Sequence, residues 1–121
     1  MARWITYINE RFPLSVYILM VGGLVVSGWL FSGEAITGIS FGLSFVGLML
    51  FFFELRLMDE YKDYDKDLVA NPDRPLPRGL LKVDEVKKII NLGLLSMFLW
   101  SVLSAIALES QWAGIVYLVV T

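Results

Sequence analysis

Three long uncharged runs constrain this chain more than any other feature of its sequence. They cover residues 12–33, 35–53 and 89–108, and none contains Asp, Glu, Lys or Arg. About 20 apolar residues in a helix cross the roughly 30 Å of hydrocarbon in a bilayer. With 57% hydrophobic residues in a chain of 121, the composition is too apolar for an ordinary soluble domain. The runs predict membrane helices over residues 12–33, 35–55 and 88–108.

A fourth apolar run, residues 110–121, is too short for a complete span. At the rise of an α-helix it reaches only about 18 Å. The sequence therefore predicts an all-α, polytopic transmembrane helix bundle with three full spans plus the start of a fourth. We expect either that the chain is the front part of a longer protein or that its end is a re-entrant piece that needs partner helices.

The positive charges are sorted by position along the chain. All ten Lys and Arg residues lie before the first span or between residues 56 and 88, and none is near Glu34 or Glu109 in the two short connections. The positive-inside rule then places the amino terminus and the central loop, residues 56–87, in the cytoplasm. We expect an integral, multi-pass protein of the lipid bilayer.

Cysteine and histidine are both absent from the sequence. Their absence excludes thiol nucleophiles, disulfides, imidazole bases and zinc sites built on these ligands. The net charge of −2 says little about partners, because charge is sorted by position along the chain. No nucleic-acid partner is expected.

Three aspartates in the central segment suggest a cation site. Asp59, Asp63 and Asp67 recur every four residues, which on a helix places them within about 80° of one face. We expect the second helix to continue through them, because neither Gly nor Pro interrupts residues 48–70. Asp59 and Asp67 would lie about 12 Å apart along its axis, too far to bind one ion together. One or two Mg²⁺ ions shared with a diphosphate fit better.

A proline-rich segment, residues 71–79, follows the aspartates and carries two arginines. Its prolines exclude regular helix and predict an extended, stiff loop. Arg74 and Arg78 can donate bidentate hydrogen bonds to phosphate oxygens, and Lys82 is a weaker candidate. The competing interpretation is a solvated helix end with Asp59–Lys62 and Asp63–Lys66 pairs.

Together these segments resemble the UbiA superfamily of intramembrane prenyltransferases. Asp59, Asp63 and Asp67 match its first aspartate-rich motif. The proline-rich segment that follows that motif is matched by Asn71, Pro72, Arg74, Pro75, Leu76, Pro77 and Gly79. The order of the two segments, their short separation and their position between the second and third spans make the joint match specific.

The resemblance implies magnesium-dependent transfer of an isoprenyl group from a prenyl diphosphate to a small, often aromatic, acceptor within the membrane. Asp59, Asp63 and Asp67 would be the catalytic metal ligands. The implied diphosphate-binding residues are Asn71, Arg74, Arg78 and Lys82. The chain corresponds to the front half of a UbiA-like bundle, so the missing carboxy-terminal helices or partner helices would have to supply the second aspartate-rich motif.

Two departures from the family pattern and two alternative functions remain. Asp59 stands where the family usually has Asn, which adds a negative charge, and Phe12 interrupts an Arg-Pro pair before the first span.

One alternative is a small non-catalytic membrane protein or truncated paralogue that binds a diphosphate lipid or assembles with partner helices. A phosphatidyl-group transferase using CDP-alcohols is less favoured, because residues 54–58 lack its Asp-Gly and Ala-Arg elements.

Overall fold

The computed structural model describes residues 1–107, which contain helices and no strand. The helices are α1 (Ala2–Arg11), α2 (Leu14–Ser32), α3 (Gly38–Lys62), α4 (Tyr64–Ala70) and α5 (Val83–Ala107). Of these, α2, α3 and α5 are long and apolar enough to cross a membrane. The predicted all-α, membrane-spanning fold is confirmed for the described residues. The predicted partial span over residues 110–121 lies outside them.

The long helices begin and end where local chemistry satisfies their backbone. Helix α2 ends at Gly33, whose positive φ of 74° suits a left-handed cap. Helix α3 begins with a capping box, in which Thr37 Oγ1 accepts from the N–H of Ser40 at 3.1 Å. Helix α5 begins at Val83, and with the end of α3 and the whole of α4 it makes much of the central segment, residues 56–87, helical.

Helix α3 is the central element, because it packs against both α2 and α5. Helices α3 and α5 run antiparallel, and the indole N–H of Trp100 donates to the Leu43 carbonyl at 3.0 Å. Only Val21 and Val25 of α2 are buried. The many exposed apolar side chains of the three long helices suit a hydrocarbon surrounding.

A small core closes the polar end of the bundle. Its buried members come from α1, α3, the proline-rich segment, the residues that follow that segment, and α5; they are Tyr7, Leu57, Leu76, Leu81, Val86 and Ile90. Three ion pairs surround it: Arg3–Glu85, Glu10–Arg78 and Arg11–Glu60. The amino-terminal helix and the central segment therefore lie at the same end of the long helices. Their assignment to the cytoplasm stays a prediction.

The proline-rich segment is compact, so the predicted extended loop is wrong. The N–H of Gly79 donates to the Leu76 carbonyl at 3.2 Å, and that of Leu80 donates to the Pro75 carbonyl at 2.9 Å. With Gly79 at a φ of 81°, this is the pattern of a Schellman turn. The segment is held against the bundle because Leu76, and Leu81 two residues after the segment, are buried in the end core.

Replacing Leu57 by Ala tests the end core. Leu57 is fully buried where α1, α5 and the proline-rich segment meet, so its truncation should cost about 2–5 kcal/mol of unfolding free energy. Leu55→Ala is the matched control, since Leu55 is exposed, and it should cost less than about 1 kcal/mol. Denaturant unfolding in bicelles measures both, and equal losses would contradict the assigned core.

Candidate functional site

The three aspartates follow a helical path that breaks once. Helix α3 ends at Lys62, and Asp63, with φ −89° and ψ 7°, separates it from α4. The prediction of one continuous helix through Asp67 is therefore wrong. Hydrogen bonds from the N–H of Asp63 to the Asp59 carbonyl, at 3.0 Å, and from Asp67 to Asp63, at 2.8 Å, preserve the four-residue register.

The three carboxylates have different surroundings. Asp59 is exposed, Asp63 is half-buried and Asp67 is buried with 2% of its surface exposed. In the described part of the chain, Asp59 and Asp63 make no side-chain hydrogen bond or ion pair, and the pairs with Lys62 and Lys66 do not form. Nor do residues 1–107 bring three acidic side chains together as a group that could hold a metal ion. The three aspartates therefore differ in burial and in pairing, and they are not equivalent as possible metal ligands.

Asp67 joins the two sequence segments that were predicted to cooperate. Asn71 Nδ2 donates to its Oδ1 at 2.9 Å, and Arg74 Nη1 donates to its Oδ2 at 2.7 Å. These hydrogen bonds, from Asn71 first and Arg74 second, hold the pKa of Asp67 below its usual value despite burial. The same contact raises the pKa of Arg74. Asn71 and Arg74 thus lie together with Asp67.

Arg78 is held by α1 and not by the aspartates. Its Nη1 and Nη2 donate to the two oxygens of Glu10 at 2.9 and 2.8 Å, and Nη1 also donates to the Asp73 carbonyl at 2.8 Å. The bidentate pair lowers the pKa of Glu10 and raises that of Arg78. Sequence analysis did not identify Glu10 as a partner, because 68 residues separate the two.

Lys82 lies beside a different pocket from Asn71 and Arg74. This pocket, of about 570 Å³, is lined by Arg3, Lys82, Asp84, Glu85, Lys88, Ile89 and Leu92. One of these residues, Glu85, accepts hydrogen bonds from the Arg3 guanidinium at 3.0 and 3.1 Å and from the Trp4 indole at 3.1 Å. The structure therefore does not bring Lys82 together with the other predicted diphosphate-binding residues.

Sequence analysis missed a buried pair next to the first aspartate. Glu60 is 3% exposed and is bonded to Arg11 Nε through one carboxylate oxygen. Its second oxygen and the hydroxyl of Tyr7 are buried without a hydrogen-bond partner in the described residues. Burial raises the pKa of the Tyr7 hydroxyl above its ordinary value. No sequence signal connects Arg11 with Glu60, since they meet only when α1 folds over α3.

A pocket of about 320 Å³ opens between α1 and the proline-rich segment. It is lined by Glu10, Arg11, Ala70, Asn71, Pro72, Asp73, Arg74 and Pro75. Arg11 and Arg74 face it with positive charge, and Glu10 and Asp73 with negative charge. Such a site can bind an anion through guanidinium donors that are also paired with carboxylates.

These features define a helical membrane protein with a paired charged cluster at one end of its bundle. No protein-family model, curated protein or solved structure matches the chain.

The low pKa of Asp67 predicts how acid affects stability. A carboxylate whose pKa is lower in the folded state than in the unfolded state stabilises the fold at every pH above the unfolded-state pKa, which is about 4 for aspartate. This stabilisation is lost as the pH falls from about 4 through the lower pKa of the folded state. Asp67→Asn should therefore be less stable than the wild type at pH 7 and lose less stability on acidification below about pH 4. Thermal unfolding in detergent between neutral and acidic pH measures this.

Asp65→Asn is the control for that experiment, because Asp65 is exposed and makes no ion pair in the described residues. Its pH profile should match that of the wild type. If Asp67→Asn also matches the wild type, the pairing of Asp67 does not stabilise the fold.

Proposed function

We propose that this chain is part of a membrane prenyltransferase that resembles the UbiA superfamily. It would transfer an isoprenyl group from a prenyl diphosphate to a small, often aromatic, acceptor in a magnesium-dependent reaction, as part of a longer chain. The observation that supports this most is the contact of Asp67 with Asn71 and Arg74. Through it, the end of the aspartate-rich segment contacts the proline-rich segment.

The carboxylates suit a shared magnesium site in the proposed enzyme. Asp59 and Asp63 offer oxygens without a protein partner in residues 1–107, and Mg²⁺ commonly uses one or two carboxylates plus substrate phosphates. Asp67 could also bind the metal if it released its hydrogen bond from Asn71 or Arg74. If it keeps both hydrogen bonds, its role would be to position Arg74. Bound magnesium would offset the negative charge on the departing diphosphate.

The arginines would bind the diphosphate from the other side of the site. Arg74 uses Nη1 on Asp67, so its other N–H groups can donate to phosphate oxygens. Arg78 would exchange Glu10 for phosphate, and Asn71 would hold Asp67 in place. Lys82 has weaker support, because it borders another pocket. Helices α2, α3 and α5 would enclose the prenyl tail, with this end of the bundle in the cytoplasm.

A second candidate function is a non-catalytic membrane protein that binds a diphosphate lipid. It is favoured by the pairing of three arginines with carboxylates, in Arg11–Glu60, Arg74–Asp67 and Arg78–Glu10. These contacts fix α1 and the proline-rich segment without any ligand. Both proposed functions use the same binding site, but only the prenyltransferase would convert the bound diphosphate to product.

Asp63→Ala tests the proposed metal site in the full-length protein, expressed from the complete coding region. With a radiolabelled prenyl diphosphate and candidate acceptors, turnover should fall by about 100-fold or more, because charge on the leaving group is no longer stabilised. Magnesium-dependent binding should weaken in parallel. Asp65→Ala removes the same charge from an exposed position and should have little effect. Unchanged turnover and binding in Asp63→Ala would refute the role given to the carboxylates.

Glu10→Gln separates a phosphate-binding Arg78 from a purely structural one. Without the anionic partner, Arg78 should bind inorganic diphosphate about 2- to 10-fold more tightly in the presence of Mg²⁺, since a neutral amide competes less well for the guanidinium. Isothermal calorimetry measures the affinity, and Glu34→Gln, at an exposed carboxylate, is the control. Lower thermal stability with no gain in affinity would show that the Glu10–Arg78 pair is structural only.

A further inference from the structure

The pocket that Lys82 borders lies at the polar end of α5. Its lining follows one face of that helix, because Lys82, Glu85, Ile89 and Leu92 come at intervals of three or four residues. The uncharged run of residues 89–108 begins at this point of the helix. The pocket therefore extends from the charged first turns of α5 to the start of its apolar surface.

Helix α1 contributes Arg3 to this pocket and is fixed beside α5. Arg3 donates two hydrogen bonds to Glu85, and the Trp4 indole donates a third. The Trp4 ring also packs against the end core. Tryptophan is frequent at the level of the lipid headgroups. The pocket is thus built by contacts within the chain, at the end of a helix that can cross the membrane.

The charges of the pocket are not balanced by pairs within the described residues. Arg3 and Glu85 offset one another. Lys82, Lys88 and Asp84 are exposed and form no ion pair in residues 1–107. Two ammonium groups against one carboxylate leave a single positive charge, which one phosphodiester group would neutralise.

The apolar part of the lining lies directly beside these charges. Leu92 is 58% exposed, and it lies about 6 Å along the axis of α5 from Lys88. Ile89 lies between them. A phospholipid has its phosphate and its acyl chains in this same order, whereas a soluble anion would leave the apolar surface uncovered. The volume of about 570 Å³ is in the range of small-ligand sites.

We propose that this pocket binds an anionic phospholipid whose headgroup carries hydroxyls, such as phosphatidylglycerol. The phosphate accepts hydrogen bonds from Lys82 and Lys88, and a headgroup hydroxyl donates to the carboxylate of Asp84. One acyl chain packs along Ile89 and Leu92. Basic pockets at the ends of membrane helices are typical sites for anionic headgroups. This lipid site is independent of the function proposed above.

Native mass spectrometry of the full-length protein in detergent micelles tests this proposal with phosphatidylglycerol and phosphatidylcholine of the same acyl chains. One phosphatidylglycerol should bind at least about fivefold more tightly, because the positive charge of choline opposes the unbalanced charge of the pocket. Lys88→Gln should weaken phosphatidylglycerol binding about fivefold, the contribution of one lysine near an anionic lipid. Lys87→Gln is the matched control, since Lys87 is exposed and does not line the pocket, and it should have little effect.

Three outcomes would overturn the proposal. Equal affinity of the wild type for the two lipids would exclude recognition of the anionic headgroup. Equal losses in Lys88→Gln and Lys87→Gln would show a general attraction to basic residues. Binding of glycerophosphoglycerol, the headgroup without acyl chains, as tightly as the lipid would indicate a site for a soluble anion. The two wild-type comparisons decide the matter even if a variant folds poorly.

Discussion

Pairing of two buried carboxylates, Glu60 and Asp67, is the constraint on which the polar end of the bundle depends. Each is almost fully covered, and an unpaired charge at such depth would be strongly destabilising. Glu60 requires Arg11, which brings the end of α1 over α3. Asp67 requires Asn71 and Arg74, which turns the chain back on itself after α4. The path of the backbone around α3 follows from these two requirements.

Apolar burial at the same end of the bundle accompanies these pairs. Leu76 and Leu81 enter the same core as Tyr7 and Leu57, and the left-handed Gly79 allows the turn that directs them there. Ion pairs at an open surface contribute little to stability. At this end of the bundle the carboxylates of Glu60 and Asp67 are almost fully buried, while Arg11 and Arg74 stay partly exposed.

Much of this fold could be predicted from sequence, because membrane helices are encoded in continuous apolar runs. The three spanning helices and the extension of α3 beyond its apolar run are local properties. The site was less predictable. Periodicity indicated that Asp59, Asp63 and Asp67 lie near one another, but it could not reveal the break at Asp63. The partners of Arg11 and Arg78 lie 49 and 68 residues away, and prolines alone could not show that buried leucines make their segment compact.

The contrast among the acidic residues of α3 and α4 shows how burial and pairing divide their roles. Asp67 and Glu60 are buried and paired, so they fix structure. Asp59 and Asp63 are more accessible and unpaired among the described residues, so they can accept a ligand from the polar side at little cost. Glu54 combines burial with an oxygen that has no described partner, and this is the costly arrangement. A helix that retains such a residue gains no stability from its carboxyl group, whereas the buried carboxylates of Glu60 and Asp67 each have an arginine partner.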